Sequence, residues 1–184
     1  MSSYSMFFVK NIDFEVIRRV HQNIEPVKSS SFVRCSYQKD ANPPEDDVLI
    51  GNISLTQVQS KQLGEVIFIY GDTSIDGFVY EHARDGVLLR KLVWFPMLDD
   101  EWTAGWLCAV GEPESWEKVL FSSDRLERYI QNERTRYEDE NRIDEFDLYE
   151  ANIRADWASG RIIAGKTYPE CDGTVTALVE QFII

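Results

Sequence analysis

The sequence predicts an α+β fold: an antiparallel four-stranded meander over about residues 65–110, packed by amphipathic N- and C-terminal helices, in a single domain spanning residues 1–184. Three observations predict it. The stretches EVIFIYGD, FVYEHARDGVLLRKLVWF and WLCAVGEP follow one another with strand-like apolar content and short polar joints. Asp85-Gly86 lies inside the second stretch, and Asp-Gly is the favoured two-residue hairpin turn because both positions adopt positive φ. The regions flanking this block repeat their apolar residues three and four apart, which is the period of a helix.

In chain order, residues 6–9 (MFFV) read as a strand. Asp13 then caps a helix carrying Val16, Ile17, Val20 and Ile24 on one face, Ile12 and Ile17 form a hydrophobic staple, and Pro26 ends the helix. Residues 31–37 alternate, with Val33, Cys35 and Tyr37 on one face of a strand. KDANPPEDD (39–47) is a polar loop stiffened by Pro43 and Pro44, and 48–53 is a short apolar strand. Ser54 and Gln57 make a capping box for a helix with Leu55, Val58 and Leu63 that Gly64 closes.

Within the meander, a two-residue turn sets Arg84 opposite Val87, His82 opposite Leu89 and Glu81 opposite Arg90. That register gathers Phe78, Tyr80, Leu89 and Val93 on one face and Val79, Leu88 and Leu92 on the other. Both faces are partly apolar, so helices cover at least one of them and part of the second. Pro113 opens a helix with Trp116, Val119 and Leu120. Two acidic helices follow, about 124–139 and 142–159. They turn Leu126, Tyr129, Ile130 and Tyr137, then Phe146, Tyr149, Ile153 and Trp157, towards a core. Opposite charges four apart, such as Asp124/Arg128 and Glu150/Arg154, mark their solvated faces. Residues 174–183 form a docked amphipathic helix through Val175, Leu178, Val179 and Phe182.

Charge narrows the partners. The chain carries a formal −13, which repels phosphate backbones and disfavours nucleic acid while favouring a basic protein partner. Cys35, Cys108 and Cys171 are widely spaced, odd in number and free of any C-x-x-C, so they read as reduced thiols of a cytoplasmic protein. The N-terminus lacks a basic stretch before an apolar run, which argues against a signal peptide, and no apolar run approaches the ~18 residues of a membrane span.

GRIIAGKT (160–167) matches the phosphate-cradling pattern G-x-x-x-x-G-K-[ST] through Gly160, Gly165, Lys166 and Thr167. A working P-loop needs a strand before the first glycine and a helix launched from the lysine. Here a helical pattern leads into Gly160, which reads as the residue just past a helix end. Tyr168-Pro169 then biases the chain away from helix, and only 17 residues remain after Thr167 for the strands that a nucleotide fold requires. Phosphate binding at these four residues is therefore disfavoured.

Other candidates are sparse. His82 could act as a base if a carboxylate oriented it, but Glu81, one residue away in a strand, points to the opposite face. His21 has no partner in sequence, and two histidines 61 positions apart suggest no metal site and no cofactor. Asp72, Asp76, Asp99, Asp100 and Glu101 sit on loops joining strands, where the ordinary reading is a polar hairpin tip. Trp94, Trp102, Trp106 and Trp116 crowd the last hairpin and the helix after it; they read either as a ring-lined binding pocket or as core rings, with Trp102 the ring expected on the surface.

The stretch YEHARDGVLLRKLVW, with GEPESWE downstream, resembles a family of bacterial proteins in which an E-H-x-R-D-G-x-L-x-R-x-L hairpin precedes a G-E-P-E-x-W-E segment. The resemblance covers about 50 residues, 70–117. It implies the hairpin and a bacterial cytosolic origin, and it carries no activity with it. The expected function is a non-enzymatic binding or interaction protein with no catalytic residues, using an acidic face and exposed rings, with His82, Trp94, Trp102, Trp106 and Trp116 as candidate binding residues. An immunity-type protein neutralising a basic toxin fits this reading. A small-molecule binder with an aromatic pocket and, more remotely, a nucleotide-binding enzyme using Gly165, Lys166 and Thr167 remain as alternatives.

Overall fold

A computed structural model describes residues 3–10, 13–21, 23–36, 54–72, 74–97 and 100–183. The predicted loop at 39–47, the strand at 48–53 and the staple residue Ile12 lie outside them, as do the side chains of residues 100–103. The α+β class and the antiparallel sheet stand, but among the described residues the sheet has seven strands rather than four. The strands are β1 (Ser3–Lys10), β2 (Ile24–Pro26), β3 (Phe32–Ser36), β4 (Glu65–Asp72), β5 (Gly77–Arg84), β6 (Val87–Met97) and β7 (Asp100–Gly111), in the order β2-β3-β1-β4-β5-β6-β7. The additional strands come from the N-terminal region. β1 buries Phe7 and Val9 on one face and Phe8 on the other. A strand apolar on both faces belongs inside a sheet, and β1 pairs antiparallel with both β3 and β4.

Helices cover both faces. On one, α1 (Phe14–Arg18) and α2 (Leu55–Leu63) bring Ile17 and Leu63 against Phe7, Phe68, Tyr70, Val79 and Val93. On the other, a 3-10 helix (Ser115–Phe121) and α5 (Thr174–Ile183) bring Trp116, Leu120, Val175 and Val179 against Phe8, Ile69, Phe78, Tyr80, Leu92 and Trp106. Asp13 and Ser54 cap α1 and α2 as predicted. However, α1 stops at Arg18, because Ile24 is drawn into β2 opposite Cys35 instead of continuing a helical face. The acidic helices α3 (Ser123–Asp139) and α4 (Ile143–Ala158) form a satellite core of their own from Tyr129, Ile130, Tyr137, Phe146, Ile153, Trp157 and Tyr168.

The predicted register holds only at the turn. Asp85 and Gly86 take φ of 50° and 83°, and Arg84 faces Val87. A bulge then inserts Leu89, so His82 faces Arg90 and Glu81 faces Lys91. The displacement reverses the predicted faces: Leu92 and Trp94 join Phe78 and Tyr80 in one core, while Val93 joins Val79 in the other. The bulged Leu89 carbonyl presses on Gly111, where a Cβ would stand 1.9 Å from the oxygen and φ is +89°. Only glycine fits there without strain.

The bulge also settles which charges meet. Arg90 turns towards the 3-10 helix and makes a bidentate pair with Glu117, Nε to Oε1 at 2.9 Å and NH2 to Oε2 at 2.6 Å, with both side chains at most 2% exposed. Lys91 turns to the opposite face, where its Nζ lies 3.3 Å from Glu81 Oε1. Glu81 Oε2 accepts from Ser54 Oγ, Thr56 N and Thr56 Oγ1, so this buried carboxylate also compensates the start of α2.

Candidate functional site

A recess lies where α3, α4, the turn before β5, the outer end of β6 and the segment 167–173 converge. It is an open cleft of about 550 Å³, within the range of roughly 300–1,000 Å³ typical of ligand sites. Helical spacing aligns the α3 contribution, because Tyr129, Glu133 and Arg136 recur at four and three on one face. Across from them stand Asp76 and Trp94, with Tyr149 from α4 and Thr167, Glu170, Cys171 and Asp172 from the connecting segment.

Its wall combines rings and hydroxyls. Tyr129 OH lies 2.6 Å from Thr167 Oγ1 and 3.4 Å from Tyr149 OH, while Tyr149 stacks on Tyr137 at 5.2 Å between centroids. Burial pushes the Tyr129 hydroxyl up to about 12, so it stays protonated at neutral pH. Trp94 is 4% exposed and donates its indole N–H to Asp76 Oδ2 at 3.3 Å.

The charges do not cancel. Arg136 pairs with Glu133 at 2.6 Å. Arg125 pairs with Asp172 at 3.1 Å and also donates to the Glu170 carbonyl and Thr174 Oγ1. Among the described residues, the side chains of Asp76 and Glu170 form no ion pair, which leaves two carboxylates without a direct counter-ion. Glu170 is exposed as a residue, yet partial burial pushes its carboxyl above the usual range; Asp172 and Glu133 add to the push, and Arg128 and Arg125 oppose it.

Trp106 anchors the segment that carries these groups. Its backbone N donates to Lys166 O at 2.9 Å, its carbonyl accepts from Gly165 N at 2.7 Å, and its indole N–H donates to Pro169 O at 2.8 Å. Trp106 is fully buried and Trp116 is 2% exposed, so both are core rings, whereas Trp94 reaches the cleft. The Trp102 side chain lies outside the described residues.

The same bonds account for GRIIAGKT. Gly160 ends α4 with φ of 63°, and the Gly165 amide is committed to β7. No helix begins at Lys166, whose Nζ pairs with Asp156 at 3.1 Å and lies over the Tyr168 ring. Thr167 faces Tyr129. The Gly165 amide is therefore spent on a backbone bond, and the segment lacks a helix starting at Lys166.

His82 is held from both sides. Its Nδ1 lies 2.5 Å from Glu114 Oε1 and its Nε2 3.2 Å from Glu65 Oε1. Tyr80 OH donates to the other Glu114 oxygen, and Lys10 and Arg84 donate to Glu65. Both ring nitrogens are thus engaged, and neither is left for a substrate proton. Glu81 points away, as the strand period requires. The residues that do orient His82 are 17 and 32 positions distant; the one sequence signal for them is the Glu-rich GEPESWE segment.

Among the described residues, no group of three His, Cys, Asp or Glu side chains could hold a metal ion, and no helix is long and apolar enough to cross a membrane. Compared with known proteins, the chain matches no family model, no curated protein and no solved structure.

Proposed function

We propose that this protein is a non-enzymatic binding protein that recognises a positively charged partner at the cleft between the sheet edge and the α3–α4 pair. The observation that carries this reading is the pair of carboxylates, Asp76 and Glu170, that line a ring-walled recess without an ion pair of their own among the described residues. The net charge of −13 adds long-range attraction for a basic surface, which raises the encounter rate more than it raises affinity. A basic toxin met by an immunity-type protein is one form of this reading.

A second reading, a small-molecule binder, draws on the cleft's volume of about 550 Å³ and its three hydroxyls. Enzymatic readings have less support, since both His82 nitrogens and the Gly165 amide are already engaged. The test is calorimetric titration with basic peptides across a salt series. Binding that weakens steadily with added salt is expected, and no binding of any cationic peptide at low ionic strength overturns the reading.

A further inference from the structure

The geometry points to a primary ammonium on an aliphatic stem as the group that the cleft takes, an inference that rests on the cleft being a cation site at all. We propose that Asp76 and Glu170 bind this ammonium and that Glu133 and Asp172 do not, because Arg136 and Arg125 already neutralise the latter two.

The choice between ammonium and guanidinium follows from Asp76. A guanidinium gains its advantage by a fork that uses both oxygens of a carboxylate. Asp76 Oδ2 already accepts the Trp94 indole N–H, so a fork there would have to share that oxygen with a buried donor. An ammonium is a compact charge with three rotatable donors and needs one acceptor for each. Asp76, Glu170 and the hydroxyls of the Thr167–Tyr129–Tyr149 string all line the recess, and in this proposal Asp76 Oδ1, the Glu170 carboxylate and one hydroxyl take the three donors. Trp94 and Ala104 line the same recess and supply apolar surface for a methylene stem. A lysine side chain of a protein partner and a free polyamine both present this chemistry.

The test is titration of the full chain with four probes: a lysine-rich peptide, the same peptide with arginine, the same peptide with acetylated lysine, and spermidine. The variants are Asp76→Asn, Glu170→Gln and, as a control for lost negative charge, the exposed Asp147→Asn. Asparagine suits position 76, where φ is +50°, and thermal melts check that each variant folds. The lysine peptide should bind at least about ten-fold more tightly than the arginine and acetylated peptides. Asp76→Asn and Glu170→Gln should each weaken it about ten-fold, a loss in line with one charge-assisted hydrogen bond, and Asp147→Asn less than about two-fold.

Competition by spermidine would support the inference with a free polyamine as the source, and its failure to compete would support it with a protein lysine as the source. Equal binding of the arginine peptide, or indifference to Asp76→Asn and Glu170→Gln, would overturn the ammonium assignment while leaving a cation-binding protein in place. No binding of any cationic probe would overturn both.

Discussion

Replacing Glu117 with glutamine tests how the hairpin and the 3-10 helix are joined. Glu117 is fully buried and takes both forks of Arg90, whose NH1 also donates to the Gly111 carbonyl at 2.9 Å. Glu117 Oε1 further accepts from the Glu114 amide, which closes the capping box at the start of the 3-10 helix. Glutamine preserves the shape and one acceptor but removes the charge. Arg90, 2% exposed, is then left buried without a counter-charge, with the introduced amide oxygen and backbone carbonyls as its acceptors. Breaking one side of such a pair costs about 3–5 kcal/mol, which corresponds to a melting-temperature drop on the order of 10 °C for a chain of this size. Urea unfolding of wild type and variant measures the difference, and the double variant Arg90→Met/Glu117→Leu should recover much of the loss because no charge is stranded. A single-variant loss under about 1 kcal/mol would refute the reasoning, since it would mean that Arg90 reaches water or another carboxylate.

Other predictions follow from single contacts. Gly111→Ala would drive a methyl into the Leu89 carbonyl at a left-handed backbone position, so a loss of about 3 kcal/mol or more, or failure to fold, is expected in thermal melts. Trp106→Phe keeps a ring in the core but strands the Pro169 carbonyl, at about 1–3 kcal/mol by urea unfolding, more with the void that the smaller ring leaves. Burial pushes the Glu114 carboxyl up, but the hydrogen bonds from His82 and Tyr80 outweigh it and hold the group below its ordinary value of 4.5. A carboxyl depressed in the folded state stabilises the protein above its unfolded pKa, and that contribution is lost as pH falls through the folded value. Glu114→Gln should therefore lower stability at neutral pH and flatten its decline below about pH 4.5 in a pH series of melts.

The sequence carries its local signals plainly and its joint signals faintly. Asp85-Gly86 announced its turn, Ser54 and Gly64 announced the ends of α2, and the apolar spacing of Val175 and Val179 gave α5. The inner placement of β1 depended on pairing with β4 some 60 positions away, for which MFFV gave composition but no address. The Leu89 bulge was invisible because its cause is tertiary: Arg90 must reach Glu117 on one face while Lys91 meets Glu81 on the other. A strict two-residue alternation necessarily put Glu81 opposite Arg90. The cleft was less legible still. Asp76 stood out as a loop carboxylate and Trp94 as a ring, but Tyr129, Tyr149, Glu170 and Asp172 come together only through the packing of α3 on α4 and the bonds of Trp106 to Gly165, Lys166 and Pro169. The context of GRIIAGKT was legible in the sequence: a helix precedes Gly160 and none starts at Lys166.

The most direct measurement of the central claim is the Trp94 indole N–H resonance in a nitrogen-15 labelled sample titrated with a lysine-rich peptide. That proton points at Asp76 Oδ2, so an ammonium arriving on this carboxylate must alter it. A saturable shift of the Trp94 signal, accompanied by the amides of 167–173 and absent in Asp76→Asn, is the predicted result. A peptide that binds while moving only distant signals, such as those of β2 and β3, would contradict the assignment of the cleft as the cation site.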